Sequence, residues 1–279
     1  MKNQAPAAKK EETTSGGSSI FAAIAIPLIF VVCVLIYLYV LGNPSNFEGG
    51  DPNNHPLPGN WLGIVYKGGI VVAVLLTCLL TCIVFGIERF LTINKAKGKG
   101  GVPNFVKRVR ALLSRGEIDA AIAECDKQRG SVANVIRSGL VKYKEMTHNR
   151  EMDTEQKVIA IQKDIEETTQ LELPMLEKNL VIIATLASVA TLIGLLGTVL
   201  GMIKAFAAIA TAGAPDAVGL ANGISEALIN TALGVGTSAL AIIFYNYFTT
   251  KIDELTYGID EAGFSITQNF ATQQAARVA

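Results

Sequence analysis

Apolar residues along this 279-residue chain gather into long uninterrupted runs instead of alternating along strands or helix faces. Four runs contain no Asp, Glu, Lys or Arg: Ile20–Leu41, Gly68–Ile87, Asn179–Ile203 and Ala227–Thr250, of 22, 20, 25 and 24 residues. A bilayer core of about 30 Å is crossed by roughly 20 helical residues rising about 1.5 Å each, so every run is long enough to span. One apolar run of a dozen residues is compatible with a buried core helix; four runs of this length are not. The pattern predicts an all-α fold, a polytopic membrane protein with four transmembrane helices.

The polar stretches between the runs also read as helix. Val102–Ser114 places apolar and basic residues at helical spacing, with Pro103 suited to a helix start. Gly116 breaks the chain before Ile118–Cys125, and Ser131–Tyr143 forms a third piece. Val158, Ile161, Ile165 and Leu171 then lead straight towards the third run, which predicts one long helix kinked at Pro174. Past the fourth run, Ile252, Leu255, Ile259, Phe264 and Ile266 continue without a breaker, so the fourth helix is predicted to extend as an amphipathic tail. The resulting boundaries are a disordered N-terminus 1–19, spans at 20–41, 61–93, 179–212 and 224–250, loops at 42–60 and 213–223, a helical segment 94–178 and a C-terminal helix 251–279. The loop at 42–60 is rich in Pro, Gly and Asn and is predicted to be irregular.

Charge sets the orientation. Residues 88–178 hold 17 of the 24 Lys and Arg, whereas residues 42–66 and 205–225 hold none. Cytoplasmic loops retain Lys and Arg, which places 88–178 and both termini in the cytoplasm and the two short loops outside. Trp61 and Tyr66 on one side and Tyr245 and Tyr247 on the other suit aromatic belts at the two interfaces. The first run is too long for the apolar part of a signal peptide and lacks a small-residue cleavage site, so a retained anchor is expected.

Composition agrees and excludes other classes. Only 17% of residues are charged and 50% are hydrophobic, with a mean hydropathy of +0.39, against about 25% charged in soluble domains. A net charge of zero speaks against nucleic-acid binding driven by basicity. Cys33, Cys78, Cys82 and Cys125 lie in spans or on the cytoplasmic side, where small apolar side chains are the simplest reading and a disulfide framework is not expected. With two histidines, His55 and His148, both outside the spans, and no metal-ligand cluster, neither enzyme chemistry nor a cofactor is expected.

The third and fourth runs carry the candidate chemistry. Gly194-Leu-Leu-Gly197-Thr198-Val-Leu-Gly201 contains a GxxxG pair, Gly197 and Gly201, which permits close helix approach in lipid. Thr191 and Thr198, seven residues apart, fall nearly in line. Glu226, Asn230 and Thr237 lie within about 40° of one another at roughly 100° per residue, and Gly234, Ser238 and Thr231 widen the polar arc. Facing hydroxyls and small residues would form a narrow polar lining. Each member also has a plainer reading. Span threonines back-bond to carbonyls or tie helices together, Glu226 would be favoured in the first turn of its helix, and snorkelling accounts for Lys67 and Lys204. Hydroxyls do not store a proton near neutral pH. A proton path along this lining therefore needs a carboxylate near mid-membrane. Either Glu226 is deeper than the run boundary suggests, or a partner supplies the acid.

The same residues carry a family resemblance. Gly194-Leu-Leu-Gly-Thr198-Val, then Gly223-Ile-Ser-Glu226-Ala-Leu-Ile-Asn-Thr231-Ala-Leu-Gly234 and Tyr245-Asn246, resemble the MotA/TolQ/ExbB proton-channel family, closest to ExbB, over about 60–260. The resemblance implies a homopentamer of long helices in a bacterial inner membrane, embedded in the lipid bilayer and transporting H+. It also implies an ExbD-like single-span partner whose Asp supplies the mid-membrane acid, and a TonB-like protein that takes up the mechanical work. By position, Thr198, Thr231 and Glu226 correspond to the family's proton-path residues, with Thr191, Asn230, Thr237 and Ser238 as further lining and Gly194, Gly197, Gly201 and Gly234 as packing positions. Two departures stand out. The first span is additional to a three-span family core, and Thr191 stands where relatives often carry proline. The expected function is an ExbB-like proton-channel subunit. Its alternatives are a TolQ-like or motility or secretion stator, and a purely structural scaffold.

Overall fold

The computed structural model of the chain describes residues 16–211 and 216–278. Nine α-helices account for most of them: α1 Gly16–Leu35, α2 Trp61–Tyr66, α3 Val71–Lys97, α4 Val102–Ser114, α5 Ile118–Gln128, α6 Ser131–His148, α7 Thr154–Glu177, α8 Leu180–Thr211 and α9 Ala217–Val278. Among the described residues four helical stretches are long and apolar enough to cross a membrane, as the four charge-free runs require. The expected disordered segment 1–19 lies outside the described residues up to position 15, and α1 already begins at Gly16. The expected loop at 213–223 is likewise outside them at 212–215, and α9 starts at Ala217.

Two junctions differ from the sequence expectation. The second span is not one helix over 61–93: Gly69, with φ of 75°, separates the short α2 from α3. Nor does α7 run through a Pro174 kink into the third span. Pro174 sits inside α7, and the break comes at Lys178 and Asn179, where Asn179 takes a φ of 60°. Asparagine tolerates that left-handed region because its short polar side chain can bond locally. Helix α9, 62 residues in all, continues past the span to Val278, as the unbroken apolar periodicity implied.

The chain divides into two compact units, one formed by the chain up to Thr81 with Ala190–Thr237, the other by Cys82–Val189 with the chain from Ser238 onward. In the first unit, α1 ends in a π-helical turn, Ile36–Leu41, and the 42–60 loop is folded back upon that end. The buried Asn46 donates to the Val40 and Leu41 carbonyls at 2.8 and 3.0 Å, satisfying acceptors that a helix C-terminus leaves open. Asn60 donates to Asn46 Oδ1 at 3.0 Å and caps α2, its own Oδ1 accepting from the Leu62 and Gly63 amides. Tyr37 stacks on Tyr66 with ring centroids 4.8 Å apart. Lys67 does not snorkel freely. Its ammonium donates to the Pro52 and Asn53 carbonyls at 3.0 Å each.

In the second unit, α4, α5 and α6 pack in sequence, and α6 packs on α7. Phe105, Leu113, Ile136, Leu140, Ile161, Ile259, Ile266 and Phe270 are buried there, so residues of the 94–178 segment and of the α9 tail share one apolar core. Tyr143 meets Phe270 edge to face at 4.8 Å and donates to Asn269 Oδ1 at 3.0 Å. Burial pushes the Cys125 thiol up to about 12, so it stays a neutral, packed side chain.

Arg89 has 2% of its side chain exposed. It forms a two-pronged pair with Glu88, and its remaining nitrogen donates to the Met175 and Leu176 carbonyls at 3.3 and 3.0 Å, capping the end of α7. Asn179 donates to Glu88 at 3.2 Å, so the break between α7 and α8 is held by the same cluster. Removing one partner of such a pair leaves an uncompensated charge at a cost of about 3–5 kcal/mol. We predict that Arg89→Ala lowers the thermal midpoint of the detergent-purified protein sharply while Arg89→Lys retains part of the loss. Unchanged melting for Arg89→Ala would contradict a structural role.

Candidate functional site

Within the first unit, α8 and α9 run antiparallel and approach so closely that backbone meets backbone. A Cβ placed on Gly234 would lie 2.6 Å from the Ala190 carbonyl oxygen and 2.8 Å from the Gly194 Cα. One on Gly201 would lie 2.6 Å from the Ala227 nitrogen and 2.7 Å from the Gly223 oxygen. Gly197 leaves the space that the Asn230 side chain fills. Small residues thus set the spacing of the two spans, the arrangement by which transmembrane helices associate when burial from water no longer drives them together.

That spacing brings Thr198 and Thr231 together. Their hydroxyls are hydrogen-bonded to each other across the two helices. Thr198 also donates to the Gly194 carbonyl at 3.2 Å, and Thr231 Oγ1 lies 3.5 Å from the same oxygen. Both threonines are half-buried, with one side of the pair open at the helix surface. Around them the outward faces of both helices are apolar: Leu195, Leu196 and Val199 on α8, Leu228 and Val235 on α9.

Glu226 is placed elsewhere. It is the tenth residue of α9, well past the first turn, so the end-of-helix reading does not describe it. Its two oxygens accept from the Lys204 ammonium at 2.6 and 2.9 Å. Asn230 is fully buried and donates to the Gly68 carbonyl at 2.8 Å, leaving its Oδ1 without a donor. Glu226 and Asn230 therefore face the Gly68–Gly69 turn before α3, not the threonine pair. Thr237 is buried and Thr191 half-buried. Ser238, in the second unit, donates to the Ala187 carbonyl, the helix-tying role open to any span hydroxyl.

The sequence reading missed Lys204 as the partner of Glu226. The signal was present: Lys204 directly follows the third charge-free run and Glu226 directly precedes the fourth, so an antiparallel pair sets opposite charges level with each other. It also missed the Gly68–Gly69 turn as part of the site. Among the described residues there is no cluster of three or more His, Cys, Asp or Glu that would hold a metal ion.

Residues 129–261 match the model of the MotA/TolQ/ExbB proton channel family, a stretch that contains both glycine motifs, both threonines and the Lys204–Glu226 pair. That stretch, just under half of the chain, is similar to this family. Its members are channel and transducer subunits, not enzymes. The chain is similar to a putative ExbB-like 3 biopolymer transport protein of Synechocystis, with 37% identity over 86 residues, covering 30% of this chain and 41% of the relative. It is similar to the Tol-Pal system protein TolQ of Pseudomonas aeruginosa, with 24% identity over 206 residues, covering 74% of this chain and 89% of the relative. A putative ExbB homologue of Methanothermobacter thermautotrophicus matches with 23% identity over 197 residues, 70% of this chain and 65% of the relative. The match thus spans less than half of the Synechocystis relative and most of the Pseudomonas one.

Proposed function

We propose that this multipass membrane protein is an ExbB-like proton-channel subunit that, with an ExbD-like single-span partner, converts the proton motive force into work on a TonB-like protein. The observation that carries this reading is the Thr198–Thr231 hydroxyl pair, which presents two polar groups at an otherwise apolar helix surface. A hydroxyl accepts and donates at once and so can relay a proton, but it does not store one. Glu226 is engaged by Lys204, so the titrating acid of the route is assigned to the partner's membrane Asp. Proton transfer between that Asp and water at the threonines would change the partner's charge and drive its conformational cycle. A pentamer in the bacterial inner membrane, with both termini and the basic segment cytoplasmic, completes the proposal. It matches the uneven placement of Lys and Arg.

The test is purification of the tagged chain from its native membrane, followed by identification of bound chains and reconstitution into proteoliposomes. A single-span protein with an Asp inside its span should co-purify, and the complex should pass protons when a gradient is imposed. A partner-free oligomer, or flux equal to that of empty vesicles, would refute the reading. The long match to TolQ favours a second reading in which the same machinery serves the Tol-Pal system. The identity of the co-purified partner separates the two.

A further inference from the structure

An isolated carboxylate in a low-dielectric span is costly and takes up a proton instead of staying charged. Glu226 has 10% of its side chain exposed and is met from α8 by one ammonium, whose own side chain is 60% exposed. Both carboxylate oxygens are engaged by Lys204 Nζ, so the group is held in direction as well as in charge. On its far side stands Gly69, where a Cβ would come within 2.7 Å of Oε1 and where the φ of 75° already favours glycine. The carboxylate is thereby wedged between α8 and the turn before α3. The Tyr37 phenol of α1 also feels its charge. The nearby Lys67 is occupied by loop carbonyls, and the Gly68–Gly69 turn contributes only backbone.

We propose that Lys204 is a positioning residue that holds Glu226 pressed against Gly69, making Glu226 a fixed strut of the channel wall and leaving proton transfer to the threonine pair and the partner's acid. The inference rests on the channel reading above. The geometry supplies its logic. A carboxylate whose two oxygens are both bonded to one lysine has a fixed direction, and without Lys204 it would be free to swing away from the turn.

The experiment is a double-mutant cycle on the complete complex with Lys204→Met, Glu226→Gln and the two combined, plus Lys204→Arg. Each is read by proton flux and by thermal unfolding in detergent. Each single variant should lose flux about tenfold. The combined variant should regain most of the loss, and Lys204→Arg should keep wild-type flux. Independent, multiplying losses in the combined variant, or wild-type flux for Lys204→Met, would overturn the proposal. If the wild-type complex passes no protons, the channel reading fails, and the unfolding cycle still decides the pair. Recovery of stability in the combined variant upholds it, and additive losses sink it.

Discussion

Replacing Thr198 and Thr231 by valine together should give a complex that assembles normally and conducts almost no protons. Valine matches threonine in shape, so the α8–α9 spacing set by Gly194, Gly201 and Gly234 is kept. Only the hydroxyl pair is lost. Span hydrogen bonds contribute about 1 kcal/mol to helix association, too little to disperse an interface of this closeness. The barrier to a proton is affected far more, since a charge crossing an apolar stretch loses the polar contacts that this hydroxyl pair supplies. A barrier raised by about 3 kcal/mol corresponds to flux lower by roughly two orders of magnitude. The measurement is proton uptake by proteoliposomes at matched protein content, with oligomer size checked by native mass. Normal flux from a well-assembled double variant would leave the hydroxyls as packing groups and favour the structural-scaffold alternative.

Gly234→Val should have an equally large effect of a different kind. The new side chain would have to displace the Ala190 carbonyl and the Gly194 backbone, neither of which can rotate away as a flexible side chain would. Overpacking of this sort costs about 3 kcal/mol or more. It falls at the contact that holds the two threonines in register. The variant should express poorly, unfold at a lower temperature and yield little intact complex by size-exclusion chromatography. Gly236, two residues away, has no atom within 4 Å of a Cβ position. Gly236→Ala should therefore leave melting and complex yield as in wild type, or raise melting slightly through helix propensity. Equal behaviour of the two variants would show that glycine matters here for chain flexibility and not for space.

The spans were legible because nothing but a membrane requires four charge-free runs of this length. Their boundaries were less so. The start of α9 at Ala217 lies among glycine and alanine residues that read as loop, and that shift is what moved Glu226 from a helix end to a helix interior. The break at Asn179 depends on a left-handed backbone stabilised by its own bond to Glu88, a contact 91 residues away in sequence. Periodicity cannot display a contact of that kind. In the candidate site, helical spacing found the threonines and the glycines, since those follow from one helix at a time. It grouped Glu226 and Asn230 with them because all lie on one arc of α9. It could not tell that a second neighbour, the Gly68–Gly69 turn, takes the part of that arc nearest Glu226.

All four cysteines are buried and unpaired, and this makes the native chain a ready instrument. A maleimide probe added to the intact protein meets no accessible native thiol. A single cysteine introduced at an outward position such as Leu62 or Ile224 can then be tagged against a dark background. Accessibility from either side of a sealed vesicle would report which ends of the helices face which compartment, without first stripping the chain of its own sulfur.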